Sequence, residues 1–162
     1  MAVRTVVEWQ PSYSIGMKLV DEQHQVLINL TNKLFANCME DQKKSREAFL
    51  QTIREAVDYV GYHFSTEEKI MERVKYPDYA MHKEQHADFV REVLVKVDEF
   101  NAGKPRAALT FVYFLRNWVL QHIAVSDKKM GNFIIALSKS GELQKMTVKV
   151  KKDETSDRVQ FQ

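Results

Sequence analysis

His24, His63, His82, His86 and His122 are all the histidines of a 162-residue chain. Each falls where a helical apolar stripe would carry a leucine. An imidazole buried without a partner costs free energy, so five on inward faces call for a common partner. Carboxylates sit among them. Glu67 follows His63 by four residues, which puts both on one helix face, while its neighbour Glu68 points elsewhere. An unpaired carboxylate on that stripe would be costly, which argues for a cation beside it. His82 and His86 are also four apart and can grip one ion, with Glu84 between them facing solvent. Asp127 lies five residues after His122, about 140° round an ideal helix. It joins the others only if the helix ends or bulges there, and a π-bulge would supply the shift.

Five imidazoles and two carboxylates, with no thiolate, are too many ligands for one metal ion and suit two. Let both carboxylates bridge, three histidines bind one ion and two the other, and an oxide or hydroxide link the pair. One ion then has six ligands and the other five, so one position stays open to a small molecule. Mixed imidazole and carboxylate donors suit iron, with manganese and zinc as alternatives. Carboxylate-rich di-iron bundles use Glu-x-x-His pairs. This chain has none; its nearest counterpart is "DEQH", Asp21 to His24. A nitrogen-rich site of low negative charge stabilises high-valent iron poorly, which favours reversible oxygen binding over oxidation catalysis.

The elements that must position these residues are four apolar stripes with helical period. The first runs through Val20, His24, Leu27, Ile28, Thr31, Leu34, Phe35 and Cys38. The second includes Phe49, Ile53, Val57, Val60, His63, Phe64, Glu67 and Met71. The third runs from His82 and His86 through Phe89, Val90, Val93, Leu94 and Val97 to Phe100. The fourth runs from Ala108 through Phe111, Leu115 and Trp118 to His122 and Ile123. "EDQKKS", "YPDY" and "NAGKP" separate them, with Pro77 ending the second helix and Gly103 capping the third. Short connections predict an all-α, antiparallel up-down-up-down four-helix bundle over residues 19–139. That topology puts all five histidines at one end. Residues 1–18 read as an N-terminal arm packed on the bundle, and "KKMGNFIIALSK" as a short C-terminal helix. Residues 140–162 form a polar tail whose alternation suits a weak hairpin or a flexible segment.

Composition narrows the class. Five glycines and three prolines in 162 residues favour long helices, and 44% hydrophobic residues supply one core. A net charge of +2 gives no strong pull toward nucleic acid or an acidic membrane. No apolar run approaches the roughly 18 residues of a membrane span, and the N-terminus lacks a signal-peptide core. The lone Cys38 excludes an internal disulfide and reads as a small core residue. A cytoplasmic monomer is expected.

"DEQH", "HFSTE", "HKEQH" and "HIAVSD" preceded by tryptophan, with "YP" between the second and third helices, resemble the hemerythrins, specifically a single-domain bacteriohemerythrin. The resemblance covers about residues 9–135. It implies that His82, His86 and His122 hold a six-coordinate iron and that His24 and His63 hold a five-coordinate iron where dioxygen binds. It also implies that Glu67, Asp127 and an oxide or hydroxide bridge the pair. An apolar pocket is implied too, with Phe64, Trp118, Val119 and Ile123 as candidate lining. Many hemerythrins have leucine where this chain has Val119, which points to a wider pocket. The implied function is oxygen binding for delivery, storage or buffering, by a binding protein and not an enzyme. The alternatives are an oxygen or nitric oxide sensor, and a di-iron enzyme acting on nitric oxide or peroxide.

Overall fold

The structure is a computed structural model and describes residues 5–39 and 42–144. Among these residues α1 spans Lys18–Cys38, α2 Gln42–Arg73, α3 Tyr79–Asn101, α4 Ala107–His122 and α5 Lys128–Lys139, with no strand. The first four pack as an antiparallel bundle in which α1 lies between α2 and α4, and α3 closes the ring. α2 begins inside the expected "EDQKKS" break, because Gln and Lys are good helix formers and nothing there stops a helix. Its far end is set by Lys75 at φ 52 before Pro77, and α3 ends at Gly103 with φ 69. The suggested tail hairpin falls largely on residues 145–162, outside the described residues.

α4 and α5 are one rod. Between them Ile123–Asp127 forms a turn of π-helix, with no break in helical dihedrals on either side. This wider turn is the shift that the five-residue spacing of His122 and Asp127 requires.

The N-terminal arm is fixed to the bundle by side chains with few alternatives. Asn32 of α1 accepts from the Val6 and Val7 amides at 2.9 and 3.1 Å and donates to the Val7 carbonyl at 2.8 Å. The Arg116 guanidinium donates to the Val6 carbonyl at 2.9 Å. Further along, Asp21 accepts from the Ser14 hydroxyl at 2.6 Å and the Ile15 amide at 2.8 Å, and Lys128 donates to the Ser14 carbonyl. Ile15 is thereby pressed, fully buried, against Gly131 of α5.

Two apolar clusters flank the histidines. The larger holds Leu34, Phe49, Phe100, Phe111 and Val112 toward one end of the bundle, and extends to Phe64, Val119 and Ile123. The smaller holds Ile15, Val20, Met71, Met130 and Ile134. Cys38 is half-buried against the larger cluster, where burial pushes its thiol up to about 11. Three stripe positions depart from the sequence expectation: Val57, Val90 and Leu94 are 47%, 45% and 60% exposed. They lie along the seam between α2 and α3, the loosest contact of the ring among the described residues. A periodic pattern reports which face a residue is on, but not how closely the next helix approaches. No described helix is long and apolar enough to cross a membrane.

Candidate metal centre

The antiparallel topology carries His24 from the start of α1, His63 and Glu67 from the last turns of α2, His82 and His86 from the first turns of α3, and His122 from the end of α4 to one level. The π-turn adds Asp127. All seven side chains are buried, His24, Glu67 and Asp127 completely so.

Their donor atoms fall into two groups, Glu67 with His82, His86 and His122, and Glu67 and Asp127 with His24 and His63. Glu67 divides its oxygens between them. Oε1 is 3.7 Å from His24 Nε2 and 3.6 Å from His63 Nε2, while Oε2 is 3.5 Å from His82 Nε2 and 3.2 Å from His86 Nε2. Asp127 does the same. Oδ2 lies 3.1 Å from His24 Nε2, and Oδ1 lies 3.2 and 3.1 Å from the Nε2 atoms of His82 and His122. Two donors each about 2.1 Å from one ion and at right angles to one another stand about 3.0 Å apart, so these spacings suit shared cations.

Both carboxylate oxygens of Glu67, both of Asp127 and both ring nitrogens of His24 are buried without a hydrogen bond among the described residues. Two histidine pairs bring Nε2 atoms together at 3.1 and 3.2 Å, His122 with His82 and His86 with His122. Lone pairs so placed repel unless they share a cation or a proton.

The charge state follows. Burial pulls the His24 and His82 imidazoliums down, but the negative charge of the Asp127 and Glu67 carboxylates beside them outweighs it and holds both at about 9. Burial drives His63 down to about 4, so it is neutral at pH 7. Burial favours the protonated acid for Glu67 and Asp127, but the surrounding histidines overcome it and keep both carboxylates ionised, well below their ordinary range.

Outside the seven, two residues orient histidines through their second ring nitrogen. His63 Nδ1 lies 3.0 Å from the buried Gln23 Oε1, and Gln23 donates onward to the Thr66 hydroxyl at 3.3 Å. His86 Nδ1 lies 3.2 Å from Glu68 Oε1, whose other oxygen pairs with Lys83 at 3.2 Å. The expectation that Glu68 points elsewhere therefore needs correction: it leaves the α2 stripe but reaches across to α3. Glu84 faces solvent as expected, paired with Arg91. Such partners fix ring orientation and raise donor basicity. The signal for both was adjacency: Gln23 precedes His24 and Glu68 follows Glu67.

An aromatic layer closes the site on one side. Phe64 stacks on His86 with ring centres 3.7 Å apart, and Trp118 stacks on His122 at 4.3 Å. Phe89 packs against both. Of the four candidate lining residues, Phe64 and Trp118 thus lie against the three-histidine group, though Phe64 also reaches His63 at 5.8 Å. Val119 and Ile123 are buried in the adjoining core.

An all-α bundle with five histidines and two carboxylates at one end defines a helical metal-binding protein. Residues 16–134 match the Hemerythrin HHE cation binding domain, so the chain belongs to the hemerythrin family. It is 32% identical over 128 residues to the bacteriohemerythrin of Stenotrophomonas maltophilia, covering 79% of this chain and 81% of that one. It is 31% identical over 121 residues to a hemerythrin-like protein of Naegleria gruberi, covering 75% and 87%. A solved structure of wild-type hemerythrin superimposes with a TM-score of 0.71 at 26% identity, over 79% of this chain and 97% of that one.

Proposed function

We propose that this chain binds dioxygen reversibly at a non-haem di-iron centre. The observation that carries the reading is the division of the carboxylate oxygens. Glu67 and Asp127 each turn one oxygen to His24 and the other to His82, which is how two bridges between neighbouring ions are placed. In this reading His82, His86 and His122 would hold one iron, His24 and His63 would hold the other, and Glu67 and Asp127 would serve both. When bound, the iron pair supplies the redox-active centre that takes up dioxygen.

The chain's own residues do the rest. Gln23 and Glu68 lock the His63 and His86 rings with their Nε2 atoms turned inward. Phe64 and Trp118 cover the His86 and His122 rings, and Val119 and Ile123 are the aliphatic candidates for lining the binding pocket. An apolar lining that excludes water favours release of the bound gas over its reduction. The acidic side chain beside the site, Glu68, is engaged by His86 and Lys83, which leaves it poorly placed to deliver protons. That supports binding over catalysis. The lone cysteine suits a reducing compartment, and the reading places the protein in the cytoplasm, with nitric oxide as the alternative ligand.

The test joins an iron count to a visible spectrum during anaerobic reduction, admission of oxygen and its withdrawal. The expected result is two irons per chain and a charge-transfer band that comes and goes with oxygen. Two irons that oxidise without a reversible adduct would replace the carrier reading with sensing or catalysis. Fewer than two after reconstitution would refute the ligand set.

A further inference from the structure

We infer that the seam between α2 and α3 is a surface on which a second copy of this chain docks. Val57, Val90 and Leu94 stand exposed along an apolar groove of about 510 Å³. Its walls include Val60, Phe89, Val93, Val97, Phe111 and Leu115. Three aliphatic side chains exposed together along one groove form a patch of the kind that marks interaction sites. Gly61 lies on the same face of α2, and a side chain there would meet no atom of its own chain within 4 Å. A partner helix can therefore approach the bare backbone.

The rim of the groove says what the partner is. Arg54 and Asp58, one turn apart on α2, are exposed at its edge and make no ion pair among the described residues. A two-fold interface brings the same patch to itself, so it must be self-complementary. An antiparallel crossing of α2 on its partner's α2, centred beside Ala56, sets Arg54 against the partner's Asp58 and Asp58 against the partner's Arg54. The Val57 side chains then meet near the two-fold axis. An anionic membrane would be drawn by Arg54 and repelled by Asp58. The chain's own residues 145–162 carry five basic and three acidic residues, a net positive charge that a neutral rim does not select. A second copy matches both signs. It differs from the monomer expected from sequence, and it rests on the exposure of Val57, Val90 and Leu94. It is independent of the iron reading.

The test is sedimentation velocity of the full-length protein over a wide concentration range, with Arg54→Glu, Asp58→Arg, the double variant and Leu94→Glu. The expected result is a reversible species of twice the chain mass. Each single charge reversal should weaken it by at least about tenfold, since two attractions become two repulsions. The double variant, and an equimolar mixture of the two single variants, should restore it. Leu94→Glu should be monomeric with unchanged helix content. A parent chain that stays monomeric throughout overturns the inference, as does a dimer indifferent to all four variants. Monomeric protein in which Leu94→Glu alters hydrogen exchange of residues 145–162 would assign the groove to the tail and also overturn it.

Discussion

Gly131 offers a sharp test of how α5 is seated. A methyl group there would lie 2.5 Å from the Ile15 carbonyl oxygen and 3.0 Å from Ile15 Cβ, where ordinary contact begins near 3.5 Å. Both obstacles belong to the arm's backbone or its first side-chain atom, so neither can swing aside. Replacing glycine by alanine inside a helix should by itself gain about 1 kcal/mol. Against this stand overpacking, at about 1–3 kcal/mol, and partial exposure of Ile15 as the arm lifts, at about 1.5–3 kcal/mol. The net expectation for Gly131→Ala is a loss of about 1.5–5 kcal/mol. At about 2–4 °C per kcal/mol for a chain of this size, the midpoint should fall by about 3–20 °C. Gly61→Ala is the internal control, since it carries the same helical gain with nothing within 4 Å. At dilutions where the chain is monomeric it should stabilise by about 0.5–1 kcal/mol. Urea and thermal unfolding at matched metal content would measure both. If Gly131→Ala were as stable as the parent, α5 could not be packed backbone to backbone on the arm.

Further outcomes follow from the site. Val119→Leu fills the pocket by one methylene, so the oxygenated protein should autoxidise more slowly than the parent; equal rates would remove Val119 from the pocket. Metal uptake by the metal-free chain must expel the protons held at about 9 on His24 and His82, while His63, at about 4, has none to lose at pH 7. At least two protons should therefore appear on filling the site at pH 7, with any from a bridging hydroxide added to them, and the histidine share should fall as pH rises through 9. Titration calorimetry in buffers of different ionisation enthalpy measures the release, and none at pH 7 would contradict the assigned charge state. Glu68→Gln should weaken metal binding by about 10–100-fold while Glu68→Asp retains part of it, as chelator competition would show.

The helices and the inward histidines were legible because polar residues on apolar stripes are expensive and their places converge only in one topology. Asp127 was not fixed by spacing: five residues is wrong for an α-helix, and nothing in "IAVSD" alone dictates a π-turn. The family motif supplied what local physics left open. Glu68 was misplaced because it is 100° from Glu67 on its own helix, and its partner lies on α3, which a single-helix reading does not contain. Val57, Val90 and Leu94 failed for a related reason. Their period is right for burial, and only the distance between two helices leaves them open.

The π-turn also sets the phase of everything after it. Were Ile123–Asp127 to tighten into α-helix, the following rod would rotate by about 100°, the turn of one residue. Met130, Gly131 and Ile134 would leave the face that meets Ile15 and Met71. The aim of one carboxylate and the docking of a whole helix are thus one degree of freedom. The turn that aims Asp127 inward therefore also sets the seat of the arm against α5.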